Sequence, residues 1–285
     1  MKYNRILVNN NEIISELTHS AYFTEVTGRY AVNAVFSGEV DYTIEKRKLT
    51  LVPGSFIFLN DDTCYTHKIA SAEGVSRLSI AFDPGYISDF EASVLESDAV
   101  LLDQPTGGKK GRPRLLESIY PLNGDIKYSL MHLSRHVDNG VADQLLLSEY
   151  LNHCLLNYYH LYQSEITSRE ASLNFLNGST KTEILKRLCV AKDYMISNYN
   201  KNIRLEDIAE VACLSVNHLL RTFKQAYQQT PHQYLTKVRL RQAKYLLRNT
   251  DYPINEIVDI VGFECPSSFI RLFRNSFNVT PGKFR

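Results

Sequence analysis

The sequence predicts a multi-domain α+β chain: a β-barrel or jelly roll with helices appended, followed by an all-α C-terminal domain. Three observations carry this. Short β-branched and aromatic-rich segments follow one another from about Ala21 to Phe82 with turn residues between them. One helical unit is written twice in the last third of the chain. Charge is unevenly spread: from Lys181 onward there are 17 Lys and Arg against 9 Asp and Glu, an excess of +8, which leaves −7 for the remainder of a chain of net charge +1. At 285 residues the chain is long enough for two domains.

In the N-terminal region the segments AYFTEV, YAVNAVFSG, EVDYTIEK, KLTLVPG, SFIFLN, CYTHKIA and VSRLSIAF read as strands, and this many short strands at this spacing suit a sandwich or barrel. The strand tyrosines Tyr22, Tyr30, Tyr42 and Tyr65, with His67, line a small cavity in one reading; in the other they are barrel core with hydroxyls at the rim. Asp103 to Arg114, DQPTGGKKGRPR, is broken by glycine and proline and reads as a basic surface excursion. Two helices are expected next, near Asp125–Val137 and Val141–Tyr162. On the second, Leu147, Leu151, Cys154, Leu155, Tyr158 and Tyr162 form an apolar stripe, available to a second copy of the chain or to its own barrel. Ser164 to Thr180 is polar and reads as a linker, so the expected division is 1–163, a linker at 164–180, and 181–285.

The repeated unit runs from Leu205 to Pro231 and returns from Ile254 to Pro281. Ile208 matches Ile257 and Val211 matches Ile260; Arg221 matches Arg271, Phe223 matches Phe273, and Thr230-Pro231 matches Thr280-Pro281. Two copies are too few to stack as a solenoid, which needs about three; they suit two tandem modules. Each copy predicts a short amphipathic helix, a tight turn and a second helix. In the first, Ser215 caps a helix whose Leu219 and Phe223 face inward and whose Asn217, Arg221 and Lys224 form an exposed stripe. In the second, Gly262 closes the first helix, Phe269 and Phe273 face inward, and Ser267, Arg271 and Arg274 repeat the stripe. These are two helix-turn-helix motifs, near 205–226 and 254–277. The run after Thr230-Pro231 predicts a joining helix that stops near Asn249, long enough to hold the two second helices close to one DNA turn apart.

The segment from about Lys181 to Arg285 resembles the DNA-binding domain of the AraC/XylS family of bacterial transcription regulators. The match is carried by Leu205, Ile208, Ala209, Ser215, Leu219, Arg221, Phe223 and Lys224, by Pro231, Tyr234, Arg239, Leu240, Ala243, Leu246 and Leu247, and by Ile257, Gly262, Phe263, Phe269, Arg271, Phe273, Thr280, Pro281, Phe284 and Arg285. Asn278 departs from the family's usual glycine but tolerates a left-handed backbone; Pro266 stands where a base-facing side chain often lies. Pro53-Gly54 and the apolar strand after it resemble the cupin-like effector domain that precedes the DNA-binding domain in many such proteins. The resemblance implies double-stranded DNA as partner at two adjacent major-groove segments, a homodimer through the helices of the N-terminal domain, RNA polymerase, and a small-molecule effector. On this reading Asn217 and Arg221 read adenine and guanine in one groove segment, and Ser267, Ser268 and Arg271 read the next. Val216 and Leu220 meet thymine methyl groups, while Lys224 and Arg274 meet phosphates.

The function expected is an effector-responsive activator, with a repressor or a ligand-independent regulator as the alternative. A rival of another class is an enzyme, either a cupin catalyst or a DNA-repair protein with a similar DNA-binding domain. A cupin metal site needs a histidine pair, and no histidine stands between His19 and His67; the repair protein needs clustered cysteines, and Cys64, Cys154, Cys189, Cys213 and Cys265 are scattered. No enzymatic activity, cofactor or metal is therefore expected. The odd, unframed cysteines suit a reducing cytoplasm, and no apolar run approaches the ~18 residues of a membrane span.

Overall fold

Strand β7 (Tyr65–Phe82) organises the N-terminal half of the computed structural model, which describes residues 2–26, 29–45, 47–95, 115–141, 143–175 and 177–285. It pairs antiparallel with β2 (Asn11–Val26), with β3 (Tyr30–Ser37) through its second half, and with β4 (Val40–Ile44) through its first four residues. β1 (Lys2–Val8) adds to β2, β5 (Arg47–Leu51) to β4, β6 (Ser55–Leu59) to β3, and β8 (Ile119–Pro121) to β6, giving one antiparallel sheet curled into a near-closed barrel. The chain divides into two units, Met1–Ser164 and Glu165–Arg285.

The first unit extends beyond the strands expected from sequence. Asn9 and Asn10, with φ of 48° and 63°, make the tight turn of a β1–β2 hairpin. The segments CYTHKIA and VSRLSIAF belong to the single strand β7. A helix absent from the sequence reading, α1 (Pro84–Leu95), follows it. α2 (Gly124–Asp138) and α3 (Gln144–Ser172) match the two expected helices, but α3 continues ten residues past Tyr162. The polar stretch 164–172, read as linker, is therefore helical. The basic stretch from Asp103 to Arg114 lies outside the described residues.

Alternation along the strands divides the side chains between two faces. Val32 and Ala34 of β3, Phe56 and Phe58 of β6, and Leu78, Ile80 and Phe82 of β7 meet Leu130 and Leu133 of α2 and Leu147, Leu151, Cys154, Leu155 and Tyr158 of α3. Phe58 stacks on Tyr158 at 4.5 Å between centroids. The apolar stripe of α3 is thus buried in its own unit, with Leu147 and Leu151 at 0% exposure. This corrects its assignment as a surface for a second copy: the sheet's outer face presents a matching apolar layer, and covering it removes both from water.

The second unit is built as the repeat predicts. α4 (Gly178–Ser197) leads into α5 (Leu205–Val211) and α6 (Val216–Tyr227); α7 (Pro231–Asn249) joins these to α8 (Ile254–Ile260) and α9 (Pro266–Phe277), and α10 (Pro281–Phe284) ends the chain described. Ser215 Oγ accepts from the amide of His218 at 3.3 Å, the expected cap. Thr230 and Gln233 cap α7 reciprocally, at 3.2 and 2.9 Å. The duplication extends to the cores. Phe223 stacks on Tyr227 at 4.3 Å and meets Tyr234 edge-on at 5.7 Å; Phe273 meets Phe277 at 4.6 Å and Phe284 at 5.6 Å. Leu219, Phe223, Phe269 and Phe273 are fully buried, and each such side chain contributes roughly 1.5–3 kcal/mol. Gln228 and Asn278 end the second helix of each copy in the same left-handed conformation, at φ 54° and 59°.

Candidate functional site

Helices α6 and α9 each turn one face to the core and one to solvent. On α6, Asn217, Arg221 and Lys224 are exposed, opposite Leu219 and Phe223; Val216 and Leu220 are half-buried at the margin. On α9, Ser267, Arg271 and Arg274 are exposed, opposite Phe269 and Phe273, and Ser268 is half-buried. All nine residues expected at a nucleic-acid surface therefore lie on these two helices. Among the described residues, none of Arg221, Lys224, Arg271 and Arg274 is held in an ion pair, so their charge is available to an anion. α7, with 19 residues, spans about 28 Å, close to the rise of one turn of DNA. Pro266 sits in the first turn of α9, where the missing amide hydrogen leaves no intrahelical bond unmade.

Two features of this surface were not singled out from sequence. Ile270 of α9 is exposed between Ser267 and Arg271. The thiol of Cys265, at the N-cap of α9, is lowered to about 7, first by its hydrogen bond with the Ser267 hydroxyl at 3.2 Å and then by the amide of Ser268. Its signal in the sequence is a cysteine one residue ahead of a first-turn proline.

The expected effector residues separate. Tyr42 and His67 are register partners across β4 and β7, with rings 5.6 Å apart, and Tyr65 lies 6.0 Å from Tyr42. Tyr30 does not join them: it faces the helical layer and packs on Phe58 at 6.0 Å. This corrects its placement in a cavity, and the cause is its position on β3, in phase with Val32 and Ala34. The side chain of Tyr22 lies outside the described residues.

What sequence reading missed is the charge beside these rings. Glu16 and Arg77 face each other across β2 and β7 as a buried ion pair, both less than a tenth exposed. Asn33 lies on the same face of the neighbouring strand β3. The polar atoms are tightly desolvated. Tyr42 is pushed up to about 12, by burial first, with Arg77 opposing it. His67 is pulled down to about 3, by burial first and the Arg77 charge second, so its ring is neutral. Tyr42 Oη and Asn33 Nδ2 find no partner at hydrogen-bond geometry, although Tyr42 faces the Arg77 guanidinium and Asn33 faces Tyr65. The signal that would have found this cluster is the pair of opposite charges at inward positions of two strands, Glu16 in SELT and Arg77 in SRLS.

A basic, duplicated helix-turn-helix unit behind a β-barrel defines the class of helix-turn-helix regulators. The family profile described as a helix-turn-helix domain matches residues 208–285. The Msm operon regulatory protein of Streptococcus mutans is 33% identical over 109 residues, 38% of this chain and 38% of that protein. The lactose operon transcription activator of Staphylococcus xylosus is 27% identical over 154 residues, 54% of this chain and 51% of the activator. A transcriptional regulator structure from Chromobacterium violaceum, with an AraC-type DNA-binding domain, is 30% identical over 38% of this chain and 94% of its own, with a TM-score of 0.34. The chain matches between 38% and 51% of the length of these two curated relatives. It belongs to the AraC/XylS family of helix-turn-helix transcription regulators, a family of regulators and not of enzymes. No helix among the described residues is long and apolar enough to cross a membrane.

Proposed function

We propose that the chain is a sequence-specific DNA-binding regulator that inserts α6 and α9 into adjacent major-groove segments of one duplex. The observation that carries this reading is the repeated stripe: Asn217, Arg221 and Lys224 recur as Ser267, Arg271 and Arg274, exposed at the same register on helices buried at matching positions. Arginine and asparagine match guanine and adenine edges, and Lys224 and Arg274 at the far end of each stripe suit phosphates. The test is binding-site selection on Arg221→Ala and Arg271→Ala. Each loses roughly 1–3 kcal/mol of specific binding and relaxes a separate part of the motif. An unchanged motif in both variants removes these helices from the major groove.

The finer reading is an effector-responsive activator acting in the cytoplasm as a homodimer with RNA polymerase, with 1–163 as sensing domain and 181–285 as DNA-binding domain. The relative from Staphylococcus xylosus bears the name of an activator. Five free thiols suit a reducing compartment. For the effector site, the supporting observation is a buried polar cluster, Glu16, Asn33, Tyr42, His67 and Arg77, whose donors and acceptors a bound polar molecule can engage. Glu16 and Arg77 cancel in charge and His67 and Tyr42 are neutral, so the cluster suits an uncharged, hydroxyl-bearing molecule. Thermal-shift screening of neutral sugars against their acid derivatives tests this, and stabilisation by acids alone overturns it. A dimer now requires residues other than the α3 stripe, and Leu145 and Leu156 are the exposed apolar residues of that helix. Sedimentation as a monomer at micromolar concentration removes the dimer.

A further inference from the structure

We infer that Ile270 is a specificity-determining residue of the second recognition helix, recognising the 5-methyl group of a thymine. This rests on the DNA-binding reading above. Ser267, Ile270, Arg271 and Arg274 stand at i, i+3, i+4 and i+7 of α9, and so share one face. Ile270 is 40% exposed, between a hydroxyl and a guanidinium.

A single exposed isoleucine is ordinary on a protein surface. Ile270 differs because its place is duplicated. It holds the register of Leu220 in α6, which stands between Asn217 and Arg221 as Ile270 stands between Ser267 and Arg271. Both outward stripes thus have polar ends and an apolar centre. Ile270 stands outside the core of its copy, which is filled by Phe269 and Phe273, and Leu220 is half-buried at the margin of the core formed by Leu219 and Phe223. The thymine methyl is the apolar feature that base edges display in the major groove. The neighbouring Arg271 matches a guanine, so the contact falls on a thymine next to the position that Arg271 reads.

The test uses the full chain and a duplex carrying its selected site, with deoxyuridine replacing each thymine in turn. That exchange removes one methyl group and keeps the hydrogen-bonding edge. One exchange in the half-site of α9 should weaken the wild type about fourfold, the equivalent of one buried methyl. Ile270→Ala should bind the thymine site about fourfold more weakly and be indifferent to the same exchange. Arg271→Ala should keep the methyl dependence, and Ile270→Val should retain part of it. A wild type indifferent to every exchange, or an Ile270→Ala protein that keeps the full penalty, overturns the inference. If the wild type selects no motif, the DNA-binding reading falls and the inference with it; a clear motif without methyl dependence sinks the inference alone. Ile270 is outside the core, so an unchanged melting temperature for Ile270→Ala separates lost contact from lost fold.

Discussion

Cys213 and Gly262 close the same turn in the two copies, and both backbones are left-handed, at φ 52° and 80°. A side chain in this conformation costs roughly 1–2 kcal/mol that glycine does not incur. Cys213→Gly should therefore raise the melting temperature of the helical unit, with a gain of about 1 kcal/mol. Gly262→Ala should do the reverse and by more, because a Cβ there would stand 2.7 Å from the carbonyl oxygen of Asn200. The first turn tolerates a cysteine where the second requires a glycine, and thermal denaturation of the two variants reads the difference. His67 gives a second residue-scale expectation. Its folded pKa, about 3, lies below the ordinary 6.5, so between these values the unfolded chain binds the proton and the folded chain does not. Stability contributed by the neutral ring is complete above about pH 6.5 and is lost as pH falls toward 3. Tyr42 of β4, Tyr65 of β7 and the Arg77 guanidinium of β7 face this ring, and Arg77 is itself paired with Glu16 of β2. By pH 5 the loss is on the order of 2 kcal/mol, and replacing His67 with glutamine should flatten the melting temperature over that range. An unchanged slope would place the proton-linked loss elsewhere.

At the scale of elements, periodicity in the sequence identified α3 and its apolar face correctly but could not say what covers it. Stripe and partner are both apolar layers, and a helix reads the same whether the facing surface is its own sheet or a neighbour. The structure settles this, and the expected effect of one substitution changes with it. Leu151→Glu buries a carboxylate among Leu130, Leu147 and Tyr158, and should cost several kcal/mol of fold stability. Loss of the cooperative thermal transition of the first unit, not a shift in sedimentation, is the expected readout. The end of α3 shows the opposite limit. Residues 164–172 are polar enough to read as linker, yet Arg169 bridges Glu165 one turn away at 2.6 Å and lies 4.5 Å over the Tyr227 ring. A cation stacked on an aromatic ring leaves no hydrophobic periodicity to detect. Helices α6 and α9 were legible for the converse reason: the apolar spacing, the outward stripe and the Thr-Pro that follows each helix all repeat, so each copy checks the other.

At the scale of the whole molecule, the helices of the repeat in the C-terminal unit were readable element by element because each is written twice, whereas the start of that unit, at Glu165, was not. The barrel was readable only as a class. The Asn-Asn hairpin turn, α1 and the continuity of β7 escaped, and so did the inward ion pair, because strand pairing partners are chosen across long stretches of chain. That contrast has a consequence for how each unit is made. β7 closes against β2, β3 and β4, and Glu12 finds Ala81 as its partner; the barrel cannot close during synthesis until the end of β7 has left the ribosome. The helices of the second unit close their own hydrogen bonds within a few residues, and topologies richer in local contacts form faster. Refolding followed by pulse-labelled hydrogen exchange should find amides of α6, α7 and α9 protected before those of β2 and β7. In refolding of the whole chain, the strand that gives the first unit its architecture is then also the one that closes last, and a chain caught early would carry finished helices in its second unit while the barrel's strand edges were still bare.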